Sequence, residues 1–414
     1  MEKPDGQKET LWYRLPENYR PFVDDSADYL AVANIFQAME SGVDCMIHER
    51  VSRTLLRNLS EFQSVWSSWF PERYRSVEIT ADTEDPVDIA ETEDTEDTAD
   101  TADTADTEDR ENTEDTEDIE NTEDEPTKAF GEEACHPSNA ALATYTGGID
   151  SSYTVMRHNR KLCGRMTQPL KACLFVHGFD IPLVDIEAFE RVRKRLENTL
   201  SRTGLELVSM ASNHKELNPQ WDHTHIAGVA SSLMLLSKRF DRALIGSTYT
   251  YNELSMKWGS NPVSDRMLSS HRMTVFHDGA ETGRGGKMAA LYDWPEAYDD
   301  LRVCWSAPNK DENCGTCGKC ALTLLGFKFK KLPLPKSFPS GLSEATIERL
   351  EFDESHLSAA ETLLRFALKE AEPAPWVMAL KKCVEANRNR LEPAGKENSS
   401  FYGRIKRRLS RLSK

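Results

Sequence analysis

The sequence predicts an α/β fold: a parallel sheet covered by helices on both faces, with a small α/β unit before it and helices after it. Two observations carry this. Between residues 141 and 277 short apolar runs of strand length alternate with segments of helical period, the pattern of a parallel sheet with crossover helices. The first of these runs ends in a Gly-Gly turn that leads straight into a helical pattern, as at the ligand-binding edge of such sheets.

The elements follow in order. "YLAVANIFQAMESG" (29–42) has helical spacing, "VDCMIHE" (43–49) reads as a strand, "SRTLLRNLSEFQSVWSSWF" (52–70) opens on a serine N-cap, and "YRSVEIT" (74–80) reads as a second strand. Residues 1–80 are therefore expected to form a small α/β unit. Residues 81–128 are expected to form a disordered acidic insert, because the degenerate T-E-D/T-A-D repeat from Asp82 to Glu125 holds 23 acidic residues and one basic one, Arg110. Without those residues the formal charge of −18 becomes +4, so the remainder is near neutral. That balance argues against nucleic acid as a partner. The repeat is read as an expansion in a tolerant loop, with an acidic arm that mimics nucleic acid as the alternative.

Residues 129–338 supply the sheet. Strands are expected at 141–146, 171–177, 205–210, 242–247 and 274–277, with helices at 185–203 and 223–238 among the connections. Residues 339–414 read as a helical region, from "SEATIERLEF", "HLSAAETLLRFALKEA" and "PWVMALKKCVEANRNRL", that closes on the basic tail "GRIKRRLSRLSK". No apolar run suits a leader or a membrane span, which makes a cytoplasmic chain with no membrane partner the expectation. A homodimer is compatible with this composition.

The chemistry-bearing stretch is "ALATYTGGIDSSYTVMRH" (141–158). A strand that turns through glycines into a helix leaves free backbone N–H groups at the helix N-terminus, where an anion is favoured. Gly147 and Gly148 allow phosphate to approach the backbone, Ser151 and Ser152 add hydroxyls, and Asp150 can hold a magnesium ion or brace the loop. The P-loop lysine is missing and the spacing is not that of a dinucleotide fingerprint. A second motif, "CWSAPNKDENCGTCGKC", sets Cys304, Cys314, Cys317 and Cys320 in a C-x9-C-x2-C-x2-C array. Four thiolates at this spacing suit a closed, structural zinc site, and an iron–sulfur cluster is the rival. His223 and His225, two apart on a helix, point to different faces and are read as structural.

Thr146-Gly147-Gly148-Ile149-Asp150-Ser151 resembles the S-G-G-x-D-S hallmark of the PP-loop family, the N-type ATP pyrophosphatases, with threonine in place of the first serine. The cysteine array and the preceding "GGKMAALYDWPEAYDDLRVC" are similar to the 7-cyano-7-deazaguanine synthase branch, a likeness that spans residues 140–328. The resemblance implies an adenine nucleotide α-hydrolase-like sheet. It implies ATP, Mg2+ and Zn2+ as cofactors, with ATP bound by Thr146, Gly147, Gly148, Asp150, Ser151, Ser152, His177, Gly246 and Ser247. It further implies catalytic roles for Asp150, Arg284 and Lys287, with Cys304, Cys314, Cys317 and Cys320 on zinc. Asp180, Trp258, Asp265, Asp278 and Glu281 are the candidate substrate contacts, in loops expected at the same sheet edge. The implied reaction is adenylation of a carboxylate or amide oxygen with release of pyrophosphate, followed by C–N bond formation with a nitrogen donor. A PP-loop sulfurtransferase, with Cys163 or Cys173 as candidate thiols, and a non-catalytic nucleotide-binding zinc module are the alternatives.

Overall fold

The structure is a computed structural model that describes residue 2 and residues 6–85, 139–369 and 374–391. The acidic repeat from residue 86 onward and the basic tail lie outside the described residues.

The N-terminal segment begins with β1 (Tyr13–Arg14), which the sequence pattern does not reveal because two residues carry no periodicity. Helix α1 (Asp28–Ser41) ends on Gly42 in the left-handed region, and β2 (Cys45–Ser52) runs into α2 (Arg53–Trp69), where Ser52 caps the helix by accepting from the Leu55 N–H. Strand β3 (Ile79–Asp85) pairs in parallel with β2. This corrects the expected boundary at residue 80: the ordered strand takes in the first five residues of the expected acidic insert. Arg50 and Arg53 explain the difference, because they form ion pairs with Asp85 and Glu84 and neutralise the start of the repeat.

The main sheet follows the predicted alternation: β4 (Ala141–Thr144), α3 (Ile149–Asn159), β5 (Leu170–His177), α4 (Ile186–Leu200) and β6 (Glu206–Ser212). After them come the short α5 (His214–Leu217), α6 (Trp221–Met234), β7 (Arg242–Gly246) and β8 (Thr274–Asp278). Helices α7 (Arg284–Leu291), α8 (Pro295–Asp299), α9 (Gly318–Lys330), α10 (Glu344–Glu348), α11 (Glu354–Ala367) and α12 (Pro375–Leu391) complete the chain. Strand order is β1-β6-β5-β4-β7-β8, parallel throughout except for the antiparallel edge strand β1. The protein is thus α/β with a mostly parallel central sheet flanked by helices.

Side-chain alternation along the strands divides the interior. Ala141, Ala143, Cys173, Phe175 and Leu244 face α3, α4, α7, α9 and the C-terminal helices. Leu142, Ala172, Leu174, Val208 and Val275 face α6 together with α1 and α2. Val32, Phe36, Phe62 and Trp66 of the N-terminal segment are fully buried in that second cluster, so the segment shares a core with the sheet. Among the described residues no helix is long and apolar enough to cross a membrane.

Candidate anion-binding cleft and four-cysteine centre

All five parallel strands end on one edge, and the order reverses beside β4, whose neighbours are β5 and β7. In open α/β sheets the crevice at such a reversal is where ligands bind. The turn after β4 fills this position. Gly147 takes a φ of +73°, and its carbonyl accepts from the Arg302 N–H at 2.9 Å. Ser151 Oγ braces the turn against Thr146 N and Gly148 O, both at 3.3 Å. A Cβ on Gly246 would lie 2.8 Å from the Asp150 carbonyl oxygen, so only glycine lets the end of β7 meet the first turn of α3.

Two further helices bring their N-termini to the same place. Lys287, in the first turn of α7, is 1% exposed; its Nζ lies 3.3 Å from Asp150 Oδ1, donates to Ser247 Oγ at 2.8 Å and also donates to the Ser247 carbonyl. Arg284 opens α7, and its Nε is buried with no partner. Arg302 is buried against the turn, donates to Asp180 Oδ2 at 3.1 Å, and its Nε is likewise without a partner. Lys319 stands in the first turn of α9, its Nζ 3.6 Å from the centroid of the Trp305 ring. Burial pushes Lys319 down to about 8; repulsion from Arg284 and Arg302 adds to this, and attraction from Asp180 and Asp150 opposes it. Neither α7 nor α9 carries an acidic residue in its first turn. Cations at the positive ends of helices are unfavourable unless an anion joins them.

Arg302 and Lys319 are absent from the sequence reading. The available signal was a lysine between the last two cysteines of the motif and an arginine two residues before its first cysteine.

The other sequence candidates divide into two groups. Asp150, Ser247, Lys287 and Asp180 gather at the cleft with the 146–152 turn. His177 lies at the same edge, but its ring stacks on Phe189 at 4.4 Å and its Nε2 donates to the Pro182 carbonyl at 2.8 Å, which braces the turn after β5. Trp258 packs between His225 and Tyr249. Asp265 is fully buried and accepts from Ser260 Oγ, the Asn261 N–H and His277 Nδ1, at 2.7, 2.8 and 2.7 Å. His223 and His225 bond to the Tyr74 hydroxyl and the Trp221 carbonyl, respectively.

Asp278 and Glu281 belong to a separate ion network on the flank of α3. Asp278 accepts from His158 Nε2 at 3.0 Å and Thr154 Oγ1 at 2.8 Å, and Arg157 pairs with Glu281 at 2.5 Å. Burial would raise the Asp278 carboxyl, but the His158 hydrogen bond, the positive charges of His158 and Arg157, and the Thr154 hydroxyl outweigh it and hold the group below the usual carboxylate range. A depressed carboxylate stabilises the fold above its unfolded value, and that contribution vanishes as pH falls through the folded one. Asp278→Asn should therefore destabilise the protein by about 3 kcal/mol at pH 7, the cost of breaking a buried pair. The gap to the wild type should narrow below about pH 4. Thermal melts across pH check this, and an unchanged melt at pH 7 would return Asp278 to the substrate candidates.

The four cysteines converge as the spacing predicts. All four sulfurs lie within 4.8 Å of one another, with Cys304 to Cys317 at 3.7 Å and Cys314 to Cys320 at 3.9 Å. Four sulfurs at about 2.3 Å from one tetrahedral ion stand about 3.8 Å apart, so the cradle is compatible with zinc. The separations far exceed a disulfide bond of about 2 Å. Backbone N–H groups of Ala307, Cys317 and Cys320 point at the sulfurs of Cys304, Cys314 and Cys317. Hydrogen bonds from the Cys320 thiol and backbone hold Cys317 below the ordinary thiol range, against the opposing effect of burial. The loop between the first two cysteines is clamped as Arg191 grips Asp311 through two bonds of 2.9 and 3.0 Å.

Comparison of the chain with protein-family models, with curated proteins and with solved structures finds no match.

Proposed function

We propose that the cleft binds ATP and that the chain is a PP-loop enzyme with an adenine nucleotide α-hydrolase-like sheet. It would adenylate a carboxylate or amide oxygen of a small molecule, release pyrophosphate and form a C–N bond. One observation carries this reading: Lys287, Arg284, Arg302 and the N-terminus of α3 converge at the strand-order reversal, with two buried guanidinium N–H groups left unpartnered. Such donors favour an anion larger than a single carboxylate, and Arg302 and Lys287 contact the turn whose sequence resembles a pyrophosphate-binding loop.

The chain's residues divide the work. The amides of the 146–152 turn receive the phosphates being released, while Lys287 and Arg284 offset the charge that develops as the α–β bridge breaks. Asp150 orients Lys287. Among the described residues Lys287 is the one partner of the Asp150 carboxylate, which leaves an oxygen for a magnesium ion. Zinc at the four cysteines would order the loop that carries Trp305 and Lys319.

Two observations disfavour the sulfurtransferase alternative. Cys173 is fully buried in β5. Cys163 follows the C-terminus of α3 and its Sγ accepts from Arg157 Nε at 2.8 Å, about two helical turns beyond the phosphate turn. Incubation with magnesium and ATP labelled at the α position, with cell extract as the source of acceptor, should yield AMP in step with pyrophosphate. Accumulation of ADP would overturn the assignment of the turn.

A further inference from the structure

Lys319 is placed where a purely structural lysine has no reason to be. It occupies the first turn of α9, at the positive end of the helix dipole, half-buried, and within electrostatic reach of Arg284 and Arg302, which repel it, and of Asp180 and Asp150, which attract it. Among the described residues no carboxylate pairs with it; its one close contact is the face of Trp305. A cation–π contact offsets part of the desolvation of an ammonium group but leaves its donors unused. Both members of this pair are held by the metal-binding loops. Trp305 directly follows Cys304, and Lys319 stands between Cys317, the N-cap of α9, and Cys320. The same stretch supplies Arg302, whose backbone N–H fixes the Gly147 carbonyl.

We infer that the four-cysteine centre governs anion binding in the cleft through Lys319, which the metal-bound turn presents on Trp305 as a contact for the released pyrophosphate. This rests on the nucleotide reading above. It adds a coupling that reading does not require: the metal and the anion bind cooperatively, with Lys319 as the link. Reciprocity follows, since a bound anion must then raise the affinity for the metal by the same factor.

The test measures binding of inorganic pyrophosphate and of ATP by calorimetry, in a two-by-two cycle of wild type and Lys319→Met, each metal-loaded and chelator-treated. Loaded Lys319→Met should keep its metal content and thermal transition yet bind pyrophosphate about tenfold or more weakly, the usual effect of losing one charge-assisted contact. Chelation should weaken wild-type binding at least as much and should weaken Lys319→Met by a smaller factor, the non-additivity expected of coupled groups. Trp305→Leu covers the case in which chelated protein unfolds: still metal-loaded, it should lose part of the affinity, and Lys319→Arg should retain most of it. Loaded Lys319→Met that binds like wild type would overturn the inference and leave the nucleotide reading intact. A loaded wild type that binds neither pyrophosphate nor ATP would sink both.

Discussion

Lys287→Met is expected to lower ATP-to-AMP turnover by about a hundredfold to a thousandfold, the range found when one preorganised electrostatic donor is removed from a reaction centre. The side chain is buried, and its ammonium bridges Asp150 on α3 to Ser247 after β7. Methionine is close to the same volume and unbranched, so the surrounding packing is kept, but the buried Ser247 acceptors lose their donor and the melt should fall by the few degrees that about 1–3 kcal/mol produces. Nucleotide affinity should fall less than turnover, because the turn amides and the two arginines remain. Asp150→Asn should lower turnover as well, since it removes the charge that positions Lys287. Single-turnover assays with α-labelled ATP separate the two quantities. Undiminished AMP formation by Lys287→Met would remove this residue from the reaction and leave the cluster as a binding site only.

The parts of the site that were legible in the sequence are those set by local chemistry. The turn at 146–152 can be read as a turn because a glycine pair ends an apolar run and opens a helical one, and the cysteine array because thiol spacing maps onto coordination geometry. The sheet was legible for a similar reason: Leu142 and its neighbours Ala141 and Ala143 are all apolar, as a strand buried on both faces requires. What escaped depends on distant parts of the chain. Arg302 and Lys319 are unremarkable basic residues until α7, α9 and the cysteine loops fold against the turn. Conversely, Asp265, Asp278 and Glu281 look alike in sequence to Asp180, and only the structure shows that their partners are His277, His158 and Arg157, whereas Asp180 accepts from Arg302 beside the turn. A carboxylate's partners are set by the fold, so a charged loop residue cannot be assigned from its position alone. The edge strand β1 escaped for want of length, and β3 was expected at 74–80 rather than 79–85 because its outer half reads as acidic repeat until Arg50 and Arg53 are seen beside it.

Loss of the metal should have the largest effect on the fold. Cys304 and Cys320 are fully buried in the same apolar cluster as Leu301, Val303, Ala321 and Leu324, and Cys317 caps α9. A bound ion would therefore tie the 301–314 loop to the start of a core helix. Structural zinc contributes about 10–16 kcal/mol in isolated finger peptides, comparable to the whole stability of a typical domain. The loop also has fastenings that need no ion: Asn313 accepts from the Val303 N–H and donates to the Leu301 carbonyl, and Asp311 is clamped by Arg191. The expected outcome lies between collapse and indifference. Purified protein should contain about one zinc per chain, and Cys317→Ser should lose it and melt about 5 °C or more below wild type, the shift that about 4 kcal/mol produces in a fold of this size. Cys383→Ser serves as the control: its thiol is buried away from the centre, beside Leu350 and Asn387, and its loss should leave metal content unchanged. Elemental analysis with parallel melts decides the matter. Iron in place of zinc would return the iron–sulfur reading, and a metal-free Cys317→Ser that melts with wild type would show that the loop needs no ion to stay folded.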